Sequence, residues 1–329
     1  MARLLIIRFS ALGDVAMTIP VIDSLAHQYP HLGITVLSKA IYSPLFERLP
    51  ENVTFVGADF KKKHIGWQGL NRLLADTRYK ECDFVADFHG VLRTFYLDTV
   101  CRFAGCKVAV INKGRNEKNK LVHRHKRLQP LKSSFLRYSD VLAQLGFPVT
   151  LDFVSLFPSK IKTDLIKRIG IAPFAKHTGK IYPLHLMEQV IDILSKKENV
   201  EVYLFGSGEA EKAIIDEWCD KYPHLASVVG KYNFSGELEL MNRLDVMLTM
   251  DSANMHLASL VATPVVSIWG ATHPFAGFMG WNQTDAVQLD LSCRPCSVFG
   301  NKPCRRGDYA CLKDITPAMI IEHIEAKLQ

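Results

Sequence analysis

The chain has 329 residues and a formal net charge of +7, and its 48% hydrophobic and 22% charged residues are typical of a soluble globular protein. This length exceeds what one ordinary hydrophobic core supports, so we expect two domains, and no apolar run is long enough to span a bilayer. Arg8 and Asp14 interrupt the apolar N-terminal stretch, which excludes a secretory signal peptide, so we expect a cytoplasmic protein with eight reduced cysteines.

Apolar strands alternate with helical segments through the first half of the chain. The pattern predicts strands at residues 4–7, 34–37, 53–56, 84–86 and 107–110, and helices near 14–28, 41–49, 66–79 and 90–104. Pro20 should bend the first helix. Residues 112–132 lack periodicity and predict a loop, which is followed by a helix at 133–145 that ends at Gly146.

The positive charge is concentrated in one segment. Between Lys107 and Arg137 the chain has ten Lys or Arg residues and one acid, Glu117, so this segment carries +9 and the remainder carries −2. Such a block suggests an anionic partner, although a solvated surface loop without a ligand gives the same pattern. Few aromatic residues are interleaved between Lys113 and Lys132, which disfavours nucleic acid as that partner.

A second alternating series follows a linker predicted at residues 149–160. Its strands are predicted at 169–172, 200–205, 246–249 and 265–268, and its helices near 184–197, 208–222, 236–243, 252–262 and 316–327. Two βα series of similar length predict an α/β protein with two Rossmann-like domains whose parallel sheets face each other across a cleft. We place the domains at residues 1–155 and 156–329, and the last helix could pack back on the first domain.

Asp14 closes the stretch RFSALGD at residues 8–14, which follows the first strand. Ligands of open α/β sheets bind at the carboxyl edge of the strands, and a carboxylate there can accept a proton from a substrate hydroxyl. Aspartate at the start of a helix is also a good N-cap, because it accepts hydrogen bonds from free N–H groups. Both interpretations of Asp14 stand at this point.

Three further segments suggest a diphosphate site in the second series. Residues 250–256, MDSANMH, connect a strand to a helix whose N–H groups at Ser252 and Ala253 could bind phosphate oxygens. Lys180, on a loop between a strand and a helix, could supply a cation, or could simply be solvated. Residues 205–209, FGSGE, lack the third glycine of a dinucleotide fingerprint, because Glu211 stands there. Glu209 still suits a ribose or another hydroxyl-bearing group, although a plain βα turn without a ligand gives the same pattern.

Taken in chain order, these motifs resemble glycosyltransferase family 9, the ADP-heptose–lipopolysaccharide heptosyltransferases. The matching segments are RFSALGD at 8–14 with Pro20, DFHG at 87–90, APFA at 172–175 with KIYP at 180–183, Phe205-Gly206, DSA at 251–253 with His256, and Pro264 through WGATHP at 269–274. Together they cover almost the whole chain. The chain departs from the family's usual residues at His89, Lys176, Tyr182 and His273.

The resemblance implies a GT-B fold and an inverting transfer of a sugar, most simply heptose from ADP-heptose, onto the inner core of lipopolysaccharide or a lipid A precursor. By resemblance, Asp14 is the general base, Lys180 contacts the donor diphosphate, and Glu209 contacts the nucleoside. Asp251, Ser252, Ala253 and His256 contact the donor pyrophosphate and sugar; His256 could equally be an ordinary core histidine. No cofactor is required.

The anionic acceptor is expected to meet basic side chains of the first domain, at the inner face of the inner membrane. The expected acceptor residues are Lys61, Lys62, Lys63, His89, Arg93, Lys113, Arg115, Lys118 and Lys120. Two alternatives remain open. One is another GT-B enzyme acting on a nucleotide sugar, such as a non-hydrolysing epimerase, and the other is a catalytically degenerate lipopolysaccharide-binding protein.

Half of the cysteines lie within nineteen residues, at Cys293, Cys296, Cys304 and Cys311. Four thiolates in a loop-rich segment could hold a structural zinc ion, although this spacing is not that of paired zinc knuckles. Reduced structural thiols give the same pattern, and disulfides are disfavoured in the cytoplasm.

Overall fold

The first strand, β1 (Arg3–Ile7), lies at the centre of a parallel sheet, and its four apolar residues are completely buried. The computed structural model describes residues 1–158 and 165–329. Within it the chain divides into two units with separate hydrophobic cores. Unit 1 comprises Met1–Gly114 and Lys132–Leu156, and unit 2 comprises Arg115–Leu131 and Phe157–Gln329. Of the linker predicted at 149–160, residues 159 and 160 lie outside the described residues.

The chain up to Leu156 forms five strands and six helices. The strands are β1, β2 (Gly33–Lys39), β3 (Val53–Ala58), β4 (Phe84–Asp87) and β5 (Lys107–Val110), and the helices are α1 (Leu12–Ala16), α2 (Ile19–Gln28), α3 (Gly66–Asp76), α4 (Leu92–Phe103), α5 (Arg115–Leu121) and α6 (Ser134–Leu145). The strands form one parallel sheet in the order β3-β2-β1-β4-β5. The segment predicted as a helix near 41–49 is a 3₁₀ helix at Ala40–Leu45.

The predicted bend at Pro20 is a complete break between two helices. The first helix begins at Leu12, two residues before Asp14, and α1 ends at Ala16. Helix α2 starts afresh at Ile19, so Pro20 occupies its first turn, where the missing N–H costs nothing. The predicted stop of α6 is confirmed, because Gly146 ends that helix in the left-handed conformation, with φ of 100°.

Unit 2 contains the second sheet and the remaining helices. The strands are β6 (Lys167–Ala172), β7 (Val200–Leu204), β8 (Leu225–Ser227), β9 (Val246–Met250), β10 (Val265–Ile268) and β11 (Ala286–Val287), and the helices are α7 (Leu184–Ser195), α8 (Gly208–Lys221), α9 (Phe234–Arg243), α10 (Ala253–Leu260), α11 (Ala310–Lys313) and α12 (Pro317–Leu328). The sheet order is β11-β10-β9-β6-β7-β8, and all pairs are parallel. Helix α12 packs on α7 and on the sheet of this unit.

The basic segment 115–131 differs from its prediction in two ways. It starts with helix α5, although the sequence predicted a loop, and it packs with unit 2 rather than with the N-terminal unit. The Lys118 ammonium lies 4.1 Å from the centroid of the Phe278 ring, and the Leu131 N–H donates to the Phe275 carbonyl over 2.9 Å. These contacts are made with residues more than a hundred positions away, which a local pattern does not reveal.

Each sheet has one point at which the strand order reverses. In unit 1 this point lies between β1 and β4, and in unit 2 it lies between β6 and β9. The chain leaves neighbouring strands there in opposite directions, which opens a crevice at their carboxyl ends where ligands of α/β proteins bind. No helix in the described ranges is both long and apolar enough to cross a membrane.

Candidate active site

The switch point of unit 1 places Asp14 beside a buried arginine. Arg8 directly follows β1, and its Nη2 lies 2.8 Å from Oδ2 of Asp14, while its Nη1 donates to the Phe88 carbonyl over 2.7 Å. The same Oδ2 accepts the Ala11 N–H at 3.1 Å. The Asp14 side chain is one-third exposed, and its contacts in the described part of the chain both use Oδ2. The second oxygen, Oδ1, therefore remains for a ligand.

Both interpretations of Asp14 are compatible in this geometry. Asp14 is the third residue of α1 rather than its N-cap, and its carboxylate satisfies the N–H of Ala11, the residue before the helix. Arg8 and the helix start hold the carboxylate in one orientation, because each fixes Oδ2. The capping hydrogen bond thus orients the Asp14 carboxylate at the carboxyl edge of the sheet and leaves its second oxygen available to a ligand.

A buried carboxyl pair supports the neighbouring loop after β4. Asp87 is completely buried, and its carboxylate accepts the N–H groups of His89 and Gly90 at 2.7–3.0 Å. Burial, followed by the charge of Asp87 and a hydrogen bond to it, raises the pKa of Asp98 to about 8. The raised pKa favours the protonated form of Asp98, which can donate a hydrogen bond to Asp87.

His89 lies at the same edge as Asp14 and is uncharged. Its Nε2 is 3.5 Å from the Ser10 hydroxyl, and its ring contacts Phe9 edge to face at 5.9 Å between centroids. Burial, followed by the nearby cations Arg8 and Lys113, lowers the pKa of His89 to about 3. A neutral imidazole next to a carboxylate can orient a hydroxyl by hydrogen bonding, but it does not add positive charge for an anionic ligand.

The nine predicted acceptor residues fall in different places. Six belong to unit 1, whereas Arg115, Lys118 and Lys120 belong to unit 2. Lys113 donates to the Gly90 carbonyl at 3.2 Å and is thus near His89, and Arg93 stacks over the Phe60 ring at 4.0 Å. Lys61 and Lys62 are exposed, and Lys63 forms an ion pair with Asp76. Lys118 is only 7% exposed, so it is not the surface cation that the sequence suggested.

In unit 2 the switch point brings Lys180 and Asp251 together. Lys180 ends a 3₁₀ turn after β6, and Asp251 directly follows the neighbouring strand β9. The Lys180 ammonium is 2.7 Å from Oδ2 of Asp251, and their side chains are 16% and 6% exposed. The sequence proposed both residues for one site from motifs seventy positions apart, and the adjacency of β6 and β9 explains why they meet.

The start of α10 lies at the same edge as this ion pair. Ser252 is the N-cap residue, with an extended backbone, yet its side chain makes no capping hydrogen bond. Its hydroxyl lies instead 3.1 Å from that of Thr249. The first N–H groups of α10, from Ala253 onward, are thus not capped by Ser252 and can bind an anion. His256 is buried one turn further along the helix.

Glu209 and Glu211 both lie in the first turn of α8, after β7, but they differ in role. Glu211 accepts the Ser207 N–H at 2.7 Å and therefore caps its own helix. Glu209 is exposed, at the carboxyl end of a strand adjacent to β6. Glu211, which stands in place of the third glycine of the dinucleotide fingerprint, is therefore a capping residue. Glu209, the residue predicted to contact the nucleoside, is accessible to a ligand.

All four clustered cysteines line one pocket, together with Arg294, Arg306, Asp308 and Tyr309. Each of the four is a free thiol, and burial raises the pKa of Cys311 to about 11. Across residues 1–158 and 165–329, no group of three or more His, Cys, Asp or Glu side chains is arranged as metal ligands. The thiols therefore share a pocket without converging on a single point.

Arg294 is a structural residue that the sequence analysis missed. Its guanidinium is buried and donates to the carbonyls of Trp269, Gly270 and Thr272 at 2.5–3.0 Å. It thereby ties the cysteine segment to the loop that follows β10, the loop that carries the WGATHP motif. A buried cation needs several hydrogen-bond acceptors, but the sequence does not indicate which arginine is buried or which carbonyl oxygens accept its hydrogen bonds.

Comparisons with known proteins agree on one family. The model of glycosyltransferase family 9 (heptosyltransferase) matches residues 115–305, more than half of the chain. Lipooligosaccharide heptosyltransferase 2 of Campylobacter jejuni is 28% identical over 138 residues, which cover 40% of this chain and only 42% of that protein. The lipopolysaccharide core heptosyltransferase OpsX of Haemophilus influenzae is 22% identical over 82% of this chain and 80% of its own length.

A solved structure shares the fold over nearly the full length. The structure of E. coli heptosyltransferase WaaC with ADP superposes with a TM-score of 0.72 at 16% identity, and the alignment covers 99% of each chain. The predicted α/β architecture of the GT-B type, with two parallel sheets, is confirmed.

Proposed function

The chain belongs to glycosyltransferase family 9, and we propose that it transfers heptose from ADP-heptose to the inner core of lipopolysaccharide or a lipid A precursor, with inversion at the anomeric carbon. The Lys180–Asp251 ion pair at the start of α10 carries this proposal, because it combines a fixed cation with free helix N–H groups at a switch point. The names of the relatives, which are heptosyltransferases, support heptose as the sugar, and the ADP of the solved structure supports the nucleotide.

Asp14 is the proposed general base. An inverting transfer requires an acceptor hydroxyl to attack the anomeric carbon while it loses its proton, and Oδ1 of Asp14 would take that proton. The C–O bond to the diphosphate breaks as the new C–O bond forms, and the diphosphate leaves with the bonding electrons. Arg8 and the Ala11 N–H hold the other carboxylate oxygen, so the base presents one orientation to the hydroxyl.

The donor diphosphate would bind at the carboxyl edge of β6 and β9. Negative charge builds up on the diphosphate as the sugar departs, and Lys180 with the N–H groups of Ser252 and Ala253 would stabilise it. His256 would line the sugar side of this site, and the exposed Glu209 would accept hydrogen bonds from ribose hydroxyls. This arrangement requires no metal ion, because the cation is supplied by a side chain.

The acceptor is proposed to bind to unit 1, next to Asp14 and His89. Lys113 and Arg93 lie near His89, and Lys61 and Lys62 are exposed on the same unit, so an acceptor with phosphates and acidic sugars would meet opposite charge. Arg115, Lys118 and Lys120 were proposed for the same role, but their packing with unit 2 removes the reason to group them with this site. Because such an acceptor is lipid-linked, we further propose that the protein works in the cytoplasm, peripherally at the inner face of the inner membrane.

A donor screen tests the proposed function directly. The protein is heated with ADP-, GDP- or UDP-sugars, and the unfolding temperature is recorded together with nucleotide release in the presence of a lipid A acceptor. A ligand that binds only the folded state raises the unfolding temperature by mass action, and we expect ADP-heptose to do so. Release of ADP should require the acceptor. Conversion of the nucleotide sugar without acceptor would indicate an epimerase instead, and donor binding without transfer would indicate a degenerate member.

The structural zinc ion remains a proposal. The four cysteine thiols line one pocket, but within the described ranges they are not arranged as a ligand set, so binding would require the thiols to move together. Elemental analysis of purified protein, with a Cys293→Ser, Cys296→Ser variant as the control, tests it. One zinc per wild-type chain, lost in the variant, is expected if the site exists. Metal-free, folded wild-type protein would show that these residues are reduced structural thiols.

A further inference from the structure

Helix α4 has a second apolar face, and large apolar side chains on this face are exposed. Its inward face, Thr94, Leu97, Asp98 and Cys101, is buried in unit 1. Its outward face contains Leu92, Phe95, Tyr96, Thr99 and Phe103, which follow the spacing of one helical stripe. Leu92 is 86% exposed, Phe95 64% and Phe103 90%. Large apolar side chains at this exposure, placed side by side, are typical of an interaction surface.

The stripe continues onto the start of α3. The Trp67 ring packs edge to face on Tyr96, with 4.7 Å between centroids, and Trp67 is 67% exposed. Ile65, just before α3, is exposed as well. We call Ile65, Trp67, Leu92, Phe95 and Phe103 the α4 face. It combines aliphatic side chains with aromatic rings, and tryptophan and tyrosine are the residues that favour the boundary between lipid and water.

Positive charge predominates in the segments that form the α4 face. The segments that form it, residues 61–76 and 92–104, contain six Lys or Arg residues and two Asp residues. One of these acids, Asp98, is buried with a raised pKa, and the other, Asp76, is paired with Lys63. Arg93 stacks on Phe60, in the loop before α3, which connects the basic residues to the helix. An apolar centre with a basic rim is complementary to an anionic bilayer.

We propose that the α4 face docks on an anionic membrane surface, with Phe95, Phe103 and Trp67 inserted at the level of the headgroups. This inference rests on the proposed function, which requires a lipid-linked acceptor, and it specifies which surface meets the bilayer. Helix α4 begins directly after the loop that holds His89, so docking there brings unit 1's switch point next to the lipid surface. A lipid-linked sugar would then reach Asp14 without leaving the membrane.

Vesicle binding by the full chain, without donor or acceptor, tests the proposal. The protein is sedimented with phosphatidylcholine vesicles that do or do not contain phosphatidylglycerol, and tryptophan emission is recorded. The other three tryptophans, Trp218, Trp269 and Trp281, are buried, so an emission change on binding reports Trp67. We expect binding to the anionic vesicles only, a blue shift of the emission, and weakening by salt. Equal binding to neutral vesicles, or unchanged emission, would overturn the proposal.

A double variant, Phe95→Ser with Phe103→Ser, tests whether the α4 face is the surface that binds the vesicles. Its partitioning to anionic vesicles should fall by about tenfold or more, because two apolar side chains no longer insert. The matched control is Val154→Ser with Leu165→Ser, which changes two apolar residues of similar exposure outside the α4 face and should bind as the wild type does. Wild-type binding by the Phe95/Phe103 variant, or a wild-type dimer that this variant dissociates, would contradict membrane docking.

Activity with a water-soluble acceptor separates this inference from the proposed function. The Phe95/Phe103 variant should turn over an acceptor that lacks acyl chains at the wild-type rate, because neither residue belongs to the proposed reacting groups. Vesicle binding without any transferase activity in the wild type would instead refute the function and leave the docking surface standing.

Discussion

Replacement of Asp14 by asparagine is expected to abolish transfer while donor affinity stays unchanged. Asparagine keeps an oxygen that accepts the Ala11 N–H, so α1 should still start correctly, but it cannot take a proton from the acceptor hydroxyl. The loss of a positioned general base lowers turnover by roughly 10²–10⁴-fold. Turnover is measured as acceptor-dependent ADP release, and donor affinity by calorimetry with ADP.

The control for this prediction is Asp140→Asn. Asp140 lies in the same unit, where its carboxylate forms an exposed ion pair with Lys132, so its loss should leave turnover near the wild-type level. Substantial turnover in the Asp14→Asn protein would contradict the general-base role. A large loss of ADP affinity in that protein would also contradict it, because Asp14 lies in unit 1 and the proposed donor residues lie in unit 2.

The local sequence pattern was sufficient to predict where most of the central strands begin and end. The buried strands β1, β4, β6 and β9 were predicted to within about one to two residues, because continuous apolar runs bounded by polar turns are typical of parallel strands. Once the strands are known, the carboxyl edge follows, and the polar residues directly after the strands become site candidates. Asp251, which directly follows β9, and Asp14 and Lys180, which lie in the segments after β1 and β6, were proposed in this way.

Residue partners at these edges could not be predicted, because they depend on which strands are neighbours. The Arg8–Asp14 pair is local, yet the Phe88 carbonyl that fixes Arg8 comes from β4's loop, eighty positions away. Asp98 was not singled out at all, since an acid on an amphipathic helix normally faces solvent, and here it faces Asp87. The clearest error concerns the surroundings of Lys118: the charge block suggested an exposed cation of the first domain that faces an anionic acceptor, or a solvated loop, and the structure buries it against Phe278 in unit 2.

Replacement of Lys180 by glutamine is expected to reduce both donor affinity and turnover. The variant loses the cation that would stabilise the departing diphosphate, and kcat/KM should fall by roughly 10²–10³-fold. It also leaves the Asp251 carboxylate buried without its ion-pair partner, which should destabilise the protein by on the order of 3 kcal/mol. Lys196→Gln, at an exposed ion pair in the same unit, is the matched control and should change neither quantity.

A second substitution separates the two consequences of losing Lys180. In the Lys180→Gln, Asp251→Asn protein no unpaired charge remains at this position, so much of the lost unfolding temperature should return. Turnover should stay low, because asparagine restores the balance of charge but supplies no cation to the diphosphate. If turnover returned together with stability, the only role of Lys180 would be to neutralise Asp251, and the helix N–H groups at Ser252 and Ala253 would have to bind the diphosphate alone. Stability that returns without activity assigns the lysine to the reaction itself.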